Sequence, residues 1–529
     1  MSLRRRLDLL GAAVAIPIAA LALSGCSLAR PPAQVASPAP AQWHSPLPPT
    51  LPHDGSLTAL TDWWRTPGDP LLVELIEAAE RESATIAAAS ARIAEARATR
   101  VSAGAALLPN LDGSLSAQRG NSSFGSSPTG AAGTGSTGAS GATGSSSLAS
   151  AAIPITTLSA GLQSRWEIDL FGGLRAGRDA ASAQLAGSQA RWHDARVSVA
   201  AETANAYFAE RACAQQLAVA TSDAASRTES ARLTDLSTQA GFTAPADNAL
   251  ARASAADASS RLTQQRAQCA VQRTALVALT GLDARALDQK LDADTVARAQ
   301  QPLQQRALPA VRSVASVPAD MLVQRPDVYA AELAVAAASA DVGANDAQRY
   351  PKLSLSGSIA RVNFRVAGVS ESLNTWTVGP VALTLPIFDG GTRAANLEAA
   401  RARYDEAAAQ YRASVRQAVR EVEQALIQLQ ATDARGADAD IAVQNFQASF
   451  NAAQARYQSG LASLFELEDQ RRQLFAAQTA RVALQQERAQ AWVSLYRSMG
   501  GGWTRDAAVA STATNTQTGT AAINPSIQQ

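Results

Sequence analysis

Between Leu158 and Leu170 the apolar side chains keep to even positions, namely Leu158, Ala160, Leu162, Trp166, Ile168 and Leu170. Gln163, Arg165, Glu167 and Asp169 take the odd ones. Farther along, Leu353, Leu355 and Ile359 alternate with Ser354, Ser356 and Ser358. A period of two, with one apolar and one polar face, predicts half-buried strands. Four such segments are predicted, near 111–118, 156–170, 353–362 and 376–387. Elsewhere the chain reads as helix. Proline is missing between Leu174 and Ala240 and again between Gly391 and Gly500, so both stretches are predicted as rods. One helix from Leu174 to Ala240 would span about 100 Å, well beyond the three or four turns of an ordinary globular helix.

The pattern occurs twice. RWEIDLFGGLRAG (165–177) and ALTLPIFDGGTRAA (382–395) each join a strand to a rod through a glycine pair, Gly172–Gly173 and Gly390–Gly391. An arginine follows each pair two positions later. Helices predicted at 70–106 and 326–348 precede the two strand pairs. Gly241 and Gly460 interrupt the rods, where glycine can take the left-handed conformation that ends a helix. Shorter arms near 250–280 and 463–499 then run to Gly281 and Gly500. Gly241 and Gly460 are 219 residues apart, and so are Gly281 and Gly500, which points to an internal duplication. Each short arm covers about half a rod, so the helices at 70–106 and 326–348 are expected to continue them end to end. Each chain then holds four strands and four rods.

The first residues set the compartment. Arg4, Arg5 and Arg6 precede LLGAAVAIPIAALAL and then LSGC, the order of an export signal. A membrane anchor fits less well, because the apolar run scarcely reaches the ~18 residues a span needs and Pro17 interrupts it. LSGC resembles the lipobox of bacterial lipoproteins. That resemblance implies cleavage after residue 25, a covalent lipid (palmitate) on Cys26 and, with Ser27 rather than Asp next, delivery to the outer membrane. Residues 26–60, rich in proline, read as an extended tether. In an outer-membrane chain the alternating strands also fit lipid on one side and water on the other. Four strands are too few to close a barrel, which needs about eight or more, so several chains must pool them.

Composition narrows the class further. A net charge of +1 in 529 residues lacks the basic face that nucleic-acid binding wants. Aromatic residues make up only 5 %, and abundant alanine favours closely packed helices. Of the three histidines, His44 and His53 lie in the tether and His193 in a rod, where it reads as a surface or interhelical residue. No hydrolase, zinc-protease, Walker or dinucleotide motif sits in a suitable context, so neither enzyme chemistry, a metal nor a cofactor is expected beyond the lipid. Glu421 and Glu423 read as solvated helix faces. Asp327, after Pro326, reads as a first-turn acid at a helix start.

QRPDVYAAE (324–332), the two Gly-Gly junctions and RYQSGLASLFELEDQRRQLF (456–475) resemble the outer membrane factor family, in its lipoprotein, NodT-like branch. The resemblance covers roughly residues 60–503. It implies a mixed α+β membrane protein: a homotrimer whose 12-stranded outer-membrane β-barrel, four strands per chain, continues into a 12-helix periplasmic α-barrel. It further implies the exit duct of a tripartite efflux pump, conducting drugs or toxic compounds from a proton-driven inner-membrane transporter through a periplasmic adaptor. The expected division is a signal peptide 1–25, tether 26–60, first repeat 61–281, linker 282–317, second repeat 318–503 and flexible tail 504–529. The Gly/Ser-rich stretch 119–150 is expected to be a flexible extracellular loop. Two other classes stay open at this point: a duct for one-step protein secretion, and a non-conducting adhesive coiled-coil stalk, although regular apolar heptads are lacking.

Two site expectations remain. Cys213 and Cys269 each stand 28 residues from Gly241, at equal height in an antiparallel hairpin, and the periplasm is oxidising. A disulfide is expected, with unpaired small core cysteines as the alternative. After Gly460, Phe465, Asp469 and Arg472 follow at spacings of four and three, which places them on one helical face. The same offset in the first repeat gives Ala246, Leu250 and Ala253. The resemblance puts Phe465, Asp469 and Arg472 at the periplasmic aperture, with Phe465 standing where the family has leucine. An ordinary intrahelical Asp469–Arg472 pair is the plainer alternative.

Overall fold

The computed structural model describes residues 30–36, 63–65, 68–122, 153–299, 325–366 and 368–503. Cys26 and its surroundings, most of the Gly/Ser-rich stretch and the tail lie outside these. The described chain runs α1 (Pro70–Glu82), α2 (Ala84–Ala105), β1 (Asn110–Ser122), β2 (Ile153–Ile168), α3 (Gly173–Gln239), α4 (Pro245–Thr280), α5 (Ala284–Ala299), α6 (Pro326–Ala347), β3 (Lys352–Val366), β4 (Val369–Thr384), α7 (Thr392–Gln458) and α8 (Leu464–Ser498). The duplication is written into these bounds. α3 and α7 are both 67 residues long, and α3, α7, α4 and α8 begin at the same 219-residue offset. No helix among the described residues is long and apolar enough to cross a membrane.

The chain divides into two units. The first takes in residues 98–182 and 337–404 and is dominated by one antiparallel sheet in the order β1-β2-β3-β4. Leu162 stands opposite Gly113 on one side and Ile359 on the other, and Ile359 opposite Trp376. Among the described residues the pairing shifts register between Leu355 and Gly357. β1 and β4 are the two edges. β4 begins at Val369 and ends at Thr384, seven residues earlier at its start than the alternation indicated, because SESLN breaks the apolar period while the backbone pairing continues. β1 likewise runs on past Ala117 to Ser122, into the stretch expected as loop.

The second unit takes in residues 183–336 and 405 onward, with 33–97. Its core is aromatic and aliphatic. Tyr207, Phe208, Leu72, Leu75, Leu276, Leu287, Leu291 and Leu495 are fully buried. Trp63 stacks on Trp492 at 4.7 Å, and Trp64 meets Tyr496 at 4.5 Å. Two sequence expectations change here. The helix expected over 70–106 is two helices, broken at Ser83, whose backbone is extended and whose hydroxyl accepts from the Ile86 amide, restarting the helix as a cap. The region read as linker, 282–317, contains α5. Asp283 accepts from the amides of Arg285 and Ala286 at its start, and Leu287 and Leu291, one turn apart, anchor it in the core.

The short arms do meet further helices at their ends. Gly281 closes α4 in the left-handed conformation, and a Cβ there would stand 2.9 Å from Glu82, just before α2. A Cβ on Gly500, after α8, would meet Pro326 and Arg325 at the start of α6.

Candidate functional site

The sheet has two unlike faces. Leu111, Leu115, Leu158, Leu162, Ile359, Trp376, Val378, Val381 and Leu383 share one of them by register and are all about half exposed or more. So much bare apolar surface on one face is more than a water-facing sheet carries. The opposite face is hydroxyl-rich, with Ser116 and Ser159 hydrogen-bonded at 2.7 Å and Ser358 and Thr377 at 2.8 Å.

The glycine junctions show why aspartate, glycine and arginine recur there. Asp169 accepts from the Arg175 amide at 2.8 Å and pairs with its guanidinium, while Arg175 also donates to the Asp169 carbonyl. In the second half Asp389 accepts from the amides of Gly391 and Arg393 and from the Arg393 guanidinium at 2.9 Å. Bonds from the Arg393 amide, then the Gly391 amide, hold the Asp389 carboxyl below its usual range despite some desolvation. Each aspartate therefore satisfies orphan amides at the start of a 67-residue helix. Gly172, Gly390 and Gly391 are left-handed. Gly173 is not. It opens α3, and a Cβ there would stand 2.8 Å from that of Ala347, so close approach is what excludes a side chain.

At the hairpin tips Gly241 and Gly460 both have positive φ, 80° and 72°. The amide of Phe242 bonds the Ser237 carbonyl and that of Leu461 the Arg456 carbonyl, the same helix-ending closure at both tips. Beyond this the tips part. α4 restarts with Pro245 and no side-chain cap, whereas Ser463 caps α8 by accepting from Glu466. Leu464, Leu467 and Leu474 bury themselves against Phe450 and Ala251. Phe465 lies on the open side, 70 % exposed. Asp469 pairs with Arg472 one turn on and accepts from Gln473 at 2.8 Å. Phe465, Asp469 and Arg472 thus share an outward helix face, and within this chain the charges answer each other.

Sequence reasoning missed a buried polar cluster just above these tips. Arg227 donates to both carboxylate oxygens of Asp223 at 2.9 and 3.0 Å, to Ser254 at 2.6 Å and to Glu468. Glu468 also accepts from Ser254 at 2.8 Å and pairs with Arg471, which reaches Ser230 at 2.9 Å. The cluster ties both helices of the first hairpin to the second. Its only signals were the spacings Asp223–Arg227 and Glu468–Arg471, which look like surface pairs.

Cys213 and Cys269 are joined by a disulfide between α3 and α4. His193 stands against Trp192 at 4.8 Å and Trp503 at 5.7 Å. Burial, then Arg196, lowers its pKa to about 4, so it is neutral at ordinary pH. Glu421 is corrected from a solvated acid. It accepts from the buried Arg325 at 2.8 Å, and Asp327 shares that arginine at 2.7 Å. Arg325 also donates to the Ser498 carbonyl, binding the end of α8 to the start of α6. Part of the stretch expected as a tether is seated: the Pro31 carbonyl accepts from Ser339 and the Pro32 carbonyl from Tyr404. Among the described residues no His, Cys, Asp and Glu group is arranged to hold a metal.

Residues 75–282 and 317–501 match the family model described as outer membrane efflux protein. The pyoverdine export outer membrane protein OpmQ of Pseudomonas putida is 32 % identical over 489 residues, covering 92 % of this chain and 96 % of that protein. The toluene efflux pump outer membrane protein TtgI of Pseudomonas putida is 28 % identical over 490 residues, covering 92 % and 97 %. The solved outer-membrane channel OprN superposes with a TM-score of 0.73 at 26 % identity, covering 89 % of this chain and 99 % of that one.

Proposed function

Because this chain belongs to the outer membrane efflux protein family, we propose that three copies close its sheets into one 12-stranded barrel and its rods into a 12-helix periplasmic barrel. The chain is an outer-membrane exit duct for small molecules, a channel and not an enzyme. It works with an inner-membrane transporter and a periplasmic adaptor. The observation that carries the assembly is the sheet. One face is bare and apolar, the other is lined with hydroxyls, and β1 and β4 are edges. Backbone groups on a sheet edge cannot stay unpaired in hydrocarbon, and a four-stranded sheet reaches the known barrel sizes only by pooling copies.

Finer assignments belong to the same proposal. Residues 1–25 are the signal peptide and Cys26 carries the lipid at the head of a tether, 26–60. The repeats run over 61–281 and 318–503, with 282–317 between them and a tail after 503. Phe465, Asp469 and Arg472 ring the periplasmic aperture, each repeated three times about the axis. The transporter is proton-driven and its cargo is drugs or toxic compounds. The test is the mass and conductance of the purified full-length protein. A three-chain particle that makes discrete conductance steps in a planar bilayer supports the reading. A monodisperse monomer that leaves the bilayer silent contradicts it.

A further inference from the structure

The outward face of the sheet is not apolar along its whole length. Its last apolar row across β3 and β4 is Ile359 with Trp376. Trp376 is 74 % exposed, the kind of side chain that sits where hydrocarbon meets headgroups. Toward the ends of the strands remote from the helices, the character of this face reverses. Arg361 and Asn374 form the next row, then Asn363 and Ser372, then Arg365 and Ser370. In the same rows Val362, Phe364 and Leu373 turn to the opposite face. On β1, Arg119 stands opposite Thr156 of β2, which in turn stands opposite Arg365. Arg119 and Arg365 are therefore two strands apart in one row, about 10 Å at the backbone, and Arg361 is four residues below Arg365, about 13 Å.

All three arginines are exposed. Arg361 reaches Ser372 at 3.5 Å. The acids of the described strands, Asp112, Glu167 and Glu371, all fall on the other face by register, opposite Gln163, Ser354 and Phe364 respectively. Three guanidiniums thus share one outward face with no carboxylate beside them, next to an interfacial tryptophan. Charge of one sign without an internal counter-ion is complementary to an external anion. The guanidinium fork suits phosphate in particular.

We propose that Arg119, Arg361 and Arg365 bind the phosphate groups of a phosphorylated lipid in the outer leaflet. The row order sets the reason. The apolar rows sit in hydrocarbon, Trp376 marks its upper limit, and the arginines come next, at the height of the lipid headgroups. The helix-bearing ends of the strands face the periplasm, so the arginine ends lie in the outer leaflet. This rests on the outer-membrane reading of the sheet.

The full-length protein is tested in detergent by native mass spectrometry with added diphosphorylated lipid A, and separately with the same lipid stripped of phosphate. Flotation with phosphatidylcholine vesicles is the independent check on insertion. Wild type is expected to float and to retain the phosphorylated lipid at least tenfold more than the stripped one. The triple variant R119Q/R361Q/R365Q is expected to float equally and lose that preference. The lysine triple variant should keep part of it, and Arg165→Gln, on the opposite face, should keep all of it. Should the triple variant fail to float, Arg119→Gln and Arg365→Gln are read singly, each expected to lower retention severalfold. Equal retention of both lipids by floating wild type, unchanged preference in the glutamine variants, or displacement of the lipid by equimolar inorganic phosphate would overturn the proposal. Failure of wild type to float would instead overturn the reading it rests on.

Discussion

Across the first helical hairpin Cys213 and Cys269 are joined covalently, and Asp235 staples its tip by accepting from Arg252, Asn248 and Gln239. The second hairpin has rods of matching length and a tip glycine in the same conformation, yet it contains no cysteine. Its attachment to the first combines polar contacts of Glu468 and Arg471 with apolar packing of Phe450, Leu464 and Leu467 against Ala251. A disulfide holds at any separation the geometry allows. Ion pairs and hydrogen bonds can exchange partners at modest cost once water is admitted. One duplicated skeleton has thus been fastened in two ways, only one of them covalent, and we infer that the first hairpin is the fixed frame and the second the element that moves. An element that opens and closes needs two arrangements of comparable energy, and the hairpin without a covalent cross-link is the one expected to have them.

The largest loss is expected at Glu468. Glu468→Ala leaves the buried Arg471 without its carboxylate and Arg227 with Asp223 alone, and removing one partner of a buried pair costs about 3–5 kcal/mol. Asp469→Ala, one residue on, removes an exposed pair worth about 0.5 kcal/mol. Denaturant unfolding followed by helical circular dichroism should separate the two variants widely, and equal midpoints would show that the buried cluster does not fasten the hairpins. Next comes the disulfide. Its closed loop of 56 residues corresponds to about 4 kcal/mol in the chain-entropy account. The variant C213S/C269S should open the first hairpin to protease ahead of the second, whereas in the unreduced wild type the second is cut first. Identical cleavage order before and after would contradict the fixed-frame assignment.

A smaller difference between the two halves is expected in their response to pH. His193 is held neutral, its pKa lowered from 6.5 to about 4, and the position 219 residues on is Arg412, exposed. Below pH 6.5 the unfolded chain takes up a proton that folded His193 refuses. Stability is therefore lost as pH falls from about 6.5 toward 4 and levels off below that. Burial raises the carboxyls of Asp194 and Glu210, which act in the opposite sense, so the readout is the difference between wild type and His193→Gln. The variant should show a flatter loss in that window. Matching curves would place His193 in water. Smallest are the junctions. Asp169→Ala and Asp389→Ala should cause slight and equal losses of thermal midpoint, because both halves cap their long helices alike. A large difference between them would mean that the junctions, too, have diverged.

Much of this plan was legible before any coordinates. Alternation and missing proline marked strands and rods, and paired glycines marked the repeat, because local backbone preference and one-sided burial leave periodic traces. What escaped was decided by tertiary partners. Ser83 breaks a helix by a side-chain cap that looks like any serine in an alanine-rich run. α5 depends on Leu287 and Leu291 finding a core supplied by other helices. Glu421 looked solvated because Arg325, its partner, is 96 positions away in sequence. The buried cluster around Arg227 was hidden for the same reason, its two halves lying 241 residues apart. Spacing put Phe465, Asp469 and Arg472 on one helix face, and they share one in the structure.

Single-channel conductance in a planar bilayer tests most directly whether the second hairpin carries the closure. Wild type is compared with Asp469→Ala, Arg472→Ala and, at the matching place in the first hairpin, Leu250→Ala. Loss of either charge should raise the resting conductance severalfold, and Leu250→Ala should leave it near wild type. Charge variants that conduct like wild type, together with a Leu250→Ala channel that stands open, would put the constriction in the first hairpin and contradict the account.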